Sequence, residues 1–232
     1  MKRIFPGIVL CLLLTAVNAA DKLTIYTVNY PLQYFAQRIA ADYAEVIFPA
    51  PPDVDPAVWM PDTKTIRAYQ KADLVLLNGA GYASWVKKAS LSRLRQVNTS
   101  ASFKEGYISV QEGATHSHGP AGEHSHSGTA FTTWLDFYQA VQQAESVMHA
   151  LVKKRPEYKA AFEQNFDALR DELMALDLKI QKLVARKPEQ PMLGPPTRST
   201  STWRAVTCCI SRICSGSRTP CPGMRNGKGF AM

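Results

Sequence analysis

Cysteine is absent from the long central part of this sequence, and acidic residues are absent from its end. Residues 20–190 contain no cysteine, which excludes a disulfide framework and a cysteine-ligated metal site from that segment. Residues 191–232 contain no aspartate or glutamate, yet they hold four cysteines: Cys208, Cys209, Cys214 and Cys221. Past residue 20, no apolar run reaches the ~20 residues that a membrane-spanning helix needs.

The formal net charge of +8 comes from the two ends of the chain. Lys2 and Arg3 supply two positive charges and residues 191–232 supply six, so residues 20–190 are neutral overall. A neutral central segment lacks the basic footprint of a nucleic-acid-binding protein. We therefore expect no nucleic-acid partner.

The first twenty residues have the layout of a secretory signal peptide. A short basic start precedes an apolar stretch at residues 8–14, and Val17-Asn18-Ala19 forms a small-residue cleavage site. Cys11 lies inside the apolar stretch rather than after it, which argues against a lipid anchor. The sequence thus predicts a signal peptide at residues 1–20 and a mature protein in the periplasm.

Strand and helix patterns alternate from residue 21 to residue 135. Apolar and β-branched runs predict strands at residues 23–28, 45–48, 73–78 and 95–97. Helical spacing predicts one helix from Pro31, one from Asp62 and one that carries Trp85. This alternation predicts an α/β fold, with an N-terminal three-layer lobe around a mainly parallel sheet.

Two helices are predicted after this lobe, at residues 136–188. The first covers about Tyr138 to Lys154, and Pro156 separates it from the second. The second helix has apolar residues spaced by three and four: Tyr158, Phe162, Phe166, Leu169, Leu173, Leu176, Ile180 and Leu183. At 1.5 Å per residue it is roughly 45 Å long. We interpret it as a spine between two lobes rather than as a coiled-coil arm.

A Gly/His/Ser-rich loop at residues 111–129 contains four of the five histidines. Neutral imidazole is a good ligand for Zn²⁺ and related ions, and four imidazoles complete a tetrahedral site. A solvated polar loop with incidental histidines is the alternative, but this density within a short segment favours a metal site. The predicted metal ligands are therefore His116, His118, His124 and His126.

No catalytic constellation accompanies these histidines. The sequence has no Ser/His/Asp or Cys/His arrangement and no phosphate-binding loop. The Gly79-Ala80-Gly81 turn lacks the third glycine of a dinucleotide-binding fingerprint. The sequence predicts a binding protein and not an enzyme.

Three segments together resemble a known family of exported proteins. They are residues 32–40, read as a first helix, Ala72-Asp73-Leu74-Val75-Leu76-Leu77-Asn78-Gly79, and Trp134-Leu135-Asp136. In this order they resemble the zinc and manganese solute-binding proteins of ABC importers. The resemblance implies a monomer that holds a metal ion between two lobes and passes it to a membrane permease. It favours Zn²⁺, with Mn²⁺ as an alternative.

Two positions depart from that family's pattern. Where the family places a metal-binding histidine after Asp-Pro, this chain has Ala57 after Asp55-Pro56. Where the family has a second histidine before Trp-Leu-Asp, it has Thr132. Neither alanine nor threonine replaces an imidazole as a zinc ligand. The usual first-lobe metal site is therefore predicted to be absent.

The last segment, residues 189–232, shows neither helical nor strand periodicity. Back-translating residues 196–226 and shifting the frame yields a pattern similar to the opening of the family's second lobe. We therefore predict that a frameshift near Met192–Pro196 has replaced the second lobe with an aberrant, disordered tail.

Three functional hypotheses follow. The first is the zinc-binding component of an ABC importer. The second is a freestanding periplasmic zinc buffer or chaperone that acts through the histidine-rich loop. The third is a non-functional truncated product.

Overall fold

The computed structural model describes residues 22–110 and 128–186. The predicted signal peptide, the four predicted histidine ligands and the tail at 189–232 lie outside the described residues. Within the described ranges, no helix combines the length and the apolar character needed to cross a membrane.

Four parallel strands form the central sheet. They are β1 (Leu23–Thr27), β2 (Ala44–Ile47), β3 (Leu74–Leu77) and β4 (Gln96–Asn98), and their order across the sheet is β2-β1-β3-β4. The apolar strand β3 lies inside the sheet and is buried along most of its length, which is typical of a parallel strand covered on both faces. A separate antiparallel pair joins β5 (Ser109–Val110) to β6 (Gly128–Thr129).

Four α-helices surround the sheet: α1 (Tyr30–Ala40), α2 (Thr63–Lys71), α3 (Phe137–Lys154) and α4 (Lys159–Ala185). Polar side chains define where three of them begin. The carboxamide oxygen of Asn29 accepts a hydrogen bond from the Leu32 amide at 3.1 Å, and Asp62 accepts one from the Thr65 amide at 2.7 Å. Asp136 does the same for α3. Such N-caps satisfy amides that the helix itself leaves without partners.

The helices lie in two layers. The chain moves outward from β1 to β2 and then returns past β1 to β3, so right-handed crossovers place α1 and α2 on opposite faces of the sheet. Helices α3 and α4 pack against α1. Aromatic contacts of Tyr69 in α2 with Tyr26 and Trp85 fill the other face. The predicted three-layer α/β lobe is confirmed.

The core lies mainly between the sheet and the layer formed by α1, α3 and α4. It contains fully buried side chains from all of these elements, including Ile25, Leu32, Ile39, Val147, Leu151, Phe162 and Leu169. Burying one such side chain contributes about 1.5–3 kcal/mol. The two C-terminal helices are therefore part of the packing of the lobe. The predicted domain boundary at residue 135 stays a prediction.

One predicted element is wrong. The segment around Trp85 is a single 3-10 turn, Ser84–Lys87, and not a helix comparable with α1 or α2. Ala83 has a left-handed φ of 52° immediately before it, which breaks helical geometry on the N-terminal side. One turn is enough because it already brings Trp85 into edge contact with Tyr69, with 4.9 Å between the ring centroids.

The predicted long helix is present as α4, and its apolar stripe divides into two parts. Phe162, Phe166 and Leu169 are buried against the lobe. Further along, Leu176 is 44 % exposed and Leu183 is 61 % exposed. The C-terminal part of α4 thus presents apolar side chains that no other described element covers.

Candidate functional site

The carboxyl ends of the central strands form the candidate site. The connections from β1 and from β3 leave toward opposite sides of the sheet, which creates a topological switch point between these two strands. In open parallel sheets, ligands bind in the crevice outside such a point. Asn29 lies just after β1 and Asn78 just after β3, and both are buried.

A network of neutral polar side chains connects the strand ends. The amide nitrogen of Asn29 donates to the carboxamide oxygen of Asn78 at 3.1 Å. Gln143 of α3 donates to the same oxygen at 3.2 Å and to the Thr99 hydroxyl at 3.0 Å. All four side chains are buried. Because each buried polar group finds a partner, the network avoids the desolvation penalty of an unpaired group.

The same network fixes the segment that precedes α3. The amide nitrogen of Asn78 donates to the carbonyl of Phe131 at 2.8 Å, and the Thr133 hydroxyl donates to Gln143 at 3.2 Å. The buried Thr132 therefore lies between two residues that this network holds by hydrogen bonds. This segment is the one in which the family resemblance places a histidine ligand.

The turn after β3 has an unusual backbone. Gly79 and Gly81 have φ values of 76° and 80°, and Ala80 and Ala83 have a φ of 52°. The Tyr82 amide donates to the Gly79 carbonyl at 3.0 Å, which closes the turn. A left-handed φ costs free energy in an alanine, and such strain persists only where the surroundings enforce it. Here it sets the position of Tyr82 beside the strand ends.

Tyr82 joins the two loops that border the site. Its ring lies edge-on to Phe131 and to Trp134, with centroid distances of 5.2 and 5.9 Å. Burial raises the pKa of the Tyr82 phenol, and the negative charge of Asp55 raises it further. Tyr82 thus lies within electrostatic reach of the loop at residues 55–59 and in ring contact with the segment at 131–134.

The structure explains what the residues at the two substituted positions do. Ala57 is buried, and its amide donates to the Asp55 carboxylate at 2.9 Å. The Asp55 carboxylate therefore closes a turn in its own loop. Thr132 is buried and precedes the 3-10 turn Thr133–Leu135. Neither position offers the nitrogen donor that zinc sites of this kind use.

Two carboxyl groups near the start of α3 are shielded from solvent. Burial raises the pKa of Asp136, the nearby Asp177 charge raises it further, and hydrogen bonds from the Gln139 and Tyr138 amides oppose the shift. Burial likewise raises the pKa of Asp177, which is 3 % exposed, while a hydrogen bond from Gln181 opposes the shift. Asp136 is the N-cap of α3.

Among residues 22–110 and 128–186, no group of three or more histidine, cysteine, aspartate or glutamate side chains is arranged to hold a metal ion. His149, the histidine on α3, is exposed, and its Nε2 atom is 4.0 Å from a carboxylate oxygen of Glu145.

A parallel α/β lobe with its polar crevice at the switch point, followed by a long helix, has the architecture of the first lobe of a solute-binding protein. The family model "Zinc-uptake complex component A periplasmic" (ZnuA) matches residues 25–193. The chain belongs to this family, whose members bind a solute rather than catalyse a reaction.

Individual relatives agree with this assignment. The chain is 30 % identical over 180 residues to the high-affinity zinc uptake system protein ZnuA of Bacillus subtilis, covering 76 % of this chain and 56 % of the relative. It is 24 % identical over 177 residues to the manganese ABC transporter substrate-binding lipoprotein ScaA of Streptococcus gordonii, covering 75 % and 55 % of the two chains. The names of these two relatives give different metals, zinc for ZnuA and manganese for ScaA.

A solved structure gives the same result for the fold. The metal-dependent lipoprotein YcdH from Bacillus subtilis superposes with a TM-score of 0.57 at 26 % identity, over 72 % of this chain and 57 % of that one. In each case the chain spans about half the length of the relative it matches.

Sequence reasoning missed the amide network of Asn29, Asn78 and Gln143. A signal for it was present, because Asn29 and Asn78 each follow a strand at the same edge of the predicted sheet. Gln143 also interrupts the apolar face of α3 formed by Ala140, Ala144 and Val147. A buried polar residue within an apolar stripe generally has hydrogen-bonding partners.

Proposed function

We propose that this chain captures a divalent metal ion, Zn²⁺ in the first place, outside the cytoplasm and delivers it to the permease of an ABC importer. The observation that carries the proposal is the match of residues 25–193 to the zinc-uptake family. Capture is reversible, because delivery requires that the ion be released.

The proposed ligands are His116, His118, His124 and His126. The described residues on either side of them support this choice. β5 pairs with β6 in the register Val110 to Gly128, and the Ala130 amide donates to the Ile108 carbonyl at 2.8 Å. The two ends of the histidine-rich segment are thus held beside each other before any ion binds, which lowers the entropy cost of bringing distant ligands together.

The donor chemistry favours zinc over manganese. Imidazole nitrogen suits Zn²⁺ and Cu²⁺, whereas Mn²⁺ prefers carboxylate and other oxygen donors. The histidine-rich segment contains four imidazoles and few carboxylates. We therefore propose zinc as the principal ligand and expect manganese to bind more weakly.

A competition titration tests the ligand assignment. The full chain is titrated with Zn²⁺ in the presence of a chromophoric chelator, beside a variant in which His116, His118, His124 and His126 are all alanine. The matched control is His149→Ala, which removes the exposed histidine of α3. We expect the four-histidine variant to lose at least tenfold in zinc affinity and the control to keep the parental isotherm. An unchanged isotherm in the four-histidine variant would refute the assignment.

A freestanding zinc buffer is the second candidate function. It is favoured by the alanine and threonine at positions 57 and 132, because a first lobe without imidazoles at these two positions contributes little to closing over an ion between two lobes. Uptake of radioactive zinc by cells lacking the gene, and by the same cells carrying it, separates the two candidates. Restored uptake that depends on the permease supports delivery, whereas zinc tolerance without uptake supports buffering.

The frameshift near Met192–Pro196 stays a prediction. Sequencing the gene through the codons for Leu183 to Met232 tests it. A second open frame that encodes a second lobe would support the prediction, and its absence would contradict it. The third hypothesis, a non-functional truncated product, would be excluded by specific zinc binding and zinc-dependent growth.

A further inference from the structure

A strongly basic segment is hidden inside the neutral central part of the sequence. Residues 64–104 contain a single acidic residue, Asp73, and eight cationic ones: Lys64, Arg67, Lys71, Lys87, Lys88, Arg93, Arg95 and Lys104. The Asp73 carboxylate accepts a hydrogen bond from the Thr24 amide at 2.8 Å. The net charge over residues 20–190 is zero because acidic residues outside this segment balance its positive charge.

Hydrogen bonds join two parts of this segment into one surface. The Arg95 guanidinium donates to the carbonyls of Gln70, Lys71 and Ala72 at 3.1, 3.1 and 2.8 Å. The side chain of Gln70 donates to the Ser90 carbonyl at 3.2 Å. The end of α2, with Lys71, is therefore fixed against residues 90–95, which include Arg93.

Seven of these cations are exposed, and we call five of them the basic surface: Arg67, Lys71, Lys87, Lys88 and Arg93. Within the part of the chain that the structure describes, none of them takes part in a salt bridge. The long helix α4 differs, because its Arg170 pairs with Asp167 and Asp171. The positive charge of the basic surface is thus not neutralised locally.

One apolar side chain projects from the basic surface. Leu94 is 91 % exposed, and it lies between Arg93 and Arg95 in the 3-10 turn that precedes β4. Leu91, three residues earlier, is buried. An exposed leucine beside several cations has the composition of a site that rests on a lipid surface, with its apolar group in the interface and its charges at the headgroups.

We propose that the basic surface docks onto the anionic headgroups of a phospholipid bilayer, with Leu94 entering the interfacial region. A lipid surface fits better than an acidic protein for two reasons. Specific protein interfaces are depleted in lysine and have an apolar core of several side chains, whereas this surface offers three lysines and one leucine. Binding to anionic lipid, by contrast, gains free energy from each cation near the membrane surface, and the cations need no fixed positions relative to one another.

The location of the basic surface is compatible with the candidate site. Lys71 ends α2 just before β3, and Arg93 lies just before β4, so both are at the amino ends of the strands. The switch point lies at the carboxyl ends, on the opposite edge of the sheet. Docking through the part of the basic surface that carries Lys71 and Arg93 therefore leaves the switch-point face uncovered.

The test is sedimentation of the full chain with vesicles of phosphatidylcholine that contain about 30 % phosphatidylglycerol, compared with pure phosphatidylcholine. The test variant carries Lys71→Gln, Lys87→Gln, Lys88→Gln and Arg93→Gln. The matched control carries Lys153→Gln, Lys154→Gln, Lys179→Gln and Lys182→Gln, which removes four exposed cations from α3 and α4. Both variants have the same net charge and keep the basic residues 191–232, so these affect both equally.

We expect the parent to prefer the anionic vesicles, the test variant to lose at least tenfold in partitioning and the control to lose less than twofold. Leu94→Gln should reduce partitioning severalfold without changing its dependence on salt concentration. Equal losses in the two four-residue variants would overturn the proposal, since they would reflect net charge alone. A parent chain without preference for anionic vesicles would also overturn it and would leave the basic surface as a candidate contact for an acidic protein.

Discussion

At the carboxyl ends of the strands the characteristic polar groups are buried amides and hydroxyls without charge, whereas at the amino ends they are exposed cations. Asn78 and Gln143 represent the first edge, and Lys71 and Arg93 the second. Buried neutral groups fix geometry because leaving one unpaired is costly, while exposed cations act over a distance at little structural cost. The difference indicates that one edge positions backbone segments and the other attracts a charged surface.

The largest effect should come from Gly79 at the carboxyl edge. A Cβ at this position would lie 2.0 Å from the Ser100 hydroxyl oxygen and 2.3 Å from the Asn98 carboxamide oxygen, in addition to the strain of a φ of 76°. We expect Gly79→Ala to lower the free energy of unfolding by about 3 kcal/mol.

Gly81→Ala is the control, because its φ is 80° but a Cβ there meets no atom within 4 Å. It should cost only about 1 kcal/mol. Urea denaturation of both variants measures the difference, and equal losses would show that only φ matters.

The next effect should come from Gln143 in the amide network. Gln143→Leu keeps the approximate volume of the side chain but removes its bonds to Asn78, Thr99 and Thr133. We expect a loss of about 2–3 kcal/mol, because buried polar groups lose partners. Glu145→Ala, at an exposed position of the same helix, should change stability by less than about 0.5 kcal/mol. Thermal unfolding of both variants is the measurement, and a neutral Gln143→Leu would show that the network does not stabilise this edge.

At the amino edge, stability should depend on one arginine and not on its neighbour. Arg95→Ala removes three hydrogen bonds to the carbonyl end of α2. It should cost about 1–2 kcal/mol. Arg93→Ala removes an exposed cation of the basic surface and should change stability by less than about 0.5 kcal/mol. Chemical denaturation separates the two, and a similar loss in both variants would contradict the division between a structural and a docking cation.

The smallest effect concerns Asp177, which buries a charge close to the cap of α3. Its pKa is raised in the folded protein, so the folded state binds protons more readily than the unfolded state. The charged form is therefore destabilising, and stability falls as the pH rises above the unfolded pKa and through the folded one. We expect Asp177→Asn to melt about 2–4 °C above the parent at pH 7, with a smaller gap near pH 4. Glu157→Gln, at an exposed position, should show no such pH-dependent gap.

Much of the fold could be predicted from the sequence because its strongest patterns coincide with burial. The apolar run at residues 73–78 predicted strand β3, and the spacing of Phe162, Phe166 and Leu169 predicted the helix α4 that buries them. The turn at Trp85 was mispredicted because one ring contact with Tyr69 replaces a whole helix there. The spacing of apolar residues within one segment does not show which residues from elsewhere in the chain will contact it.

The two edges were harder to predict because they depend on residues brought together by the topology. Asn29 and Asn78 are 49 positions apart in sequence, and neither residue by itself indicates a buried hydrogen-bond network. The basic surface was hidden by a charge total that treats residues 20–190 as one body. In contrast, the departures at Ala57 and Thr132 are visible in the sequence alone, because each lies beside a motif that the family shares.

We propose that the four histidines of the segment between β5 and β6 bind zinc, and that the carboxyl edge only positions the neighbouring backbone. X-ray absorption spectroscopy of the zinc-loaded full chain tests this claim directly. We expect a coordination sphere dominated by imidazole nitrogen that disappears when His116, His118, His124 and His126 are replaced by alanine, and that persists in Gln143→Leu. An unchanged spectrum in the four-histidine variant, or a sphere made only of oxygen, would contradict the claim.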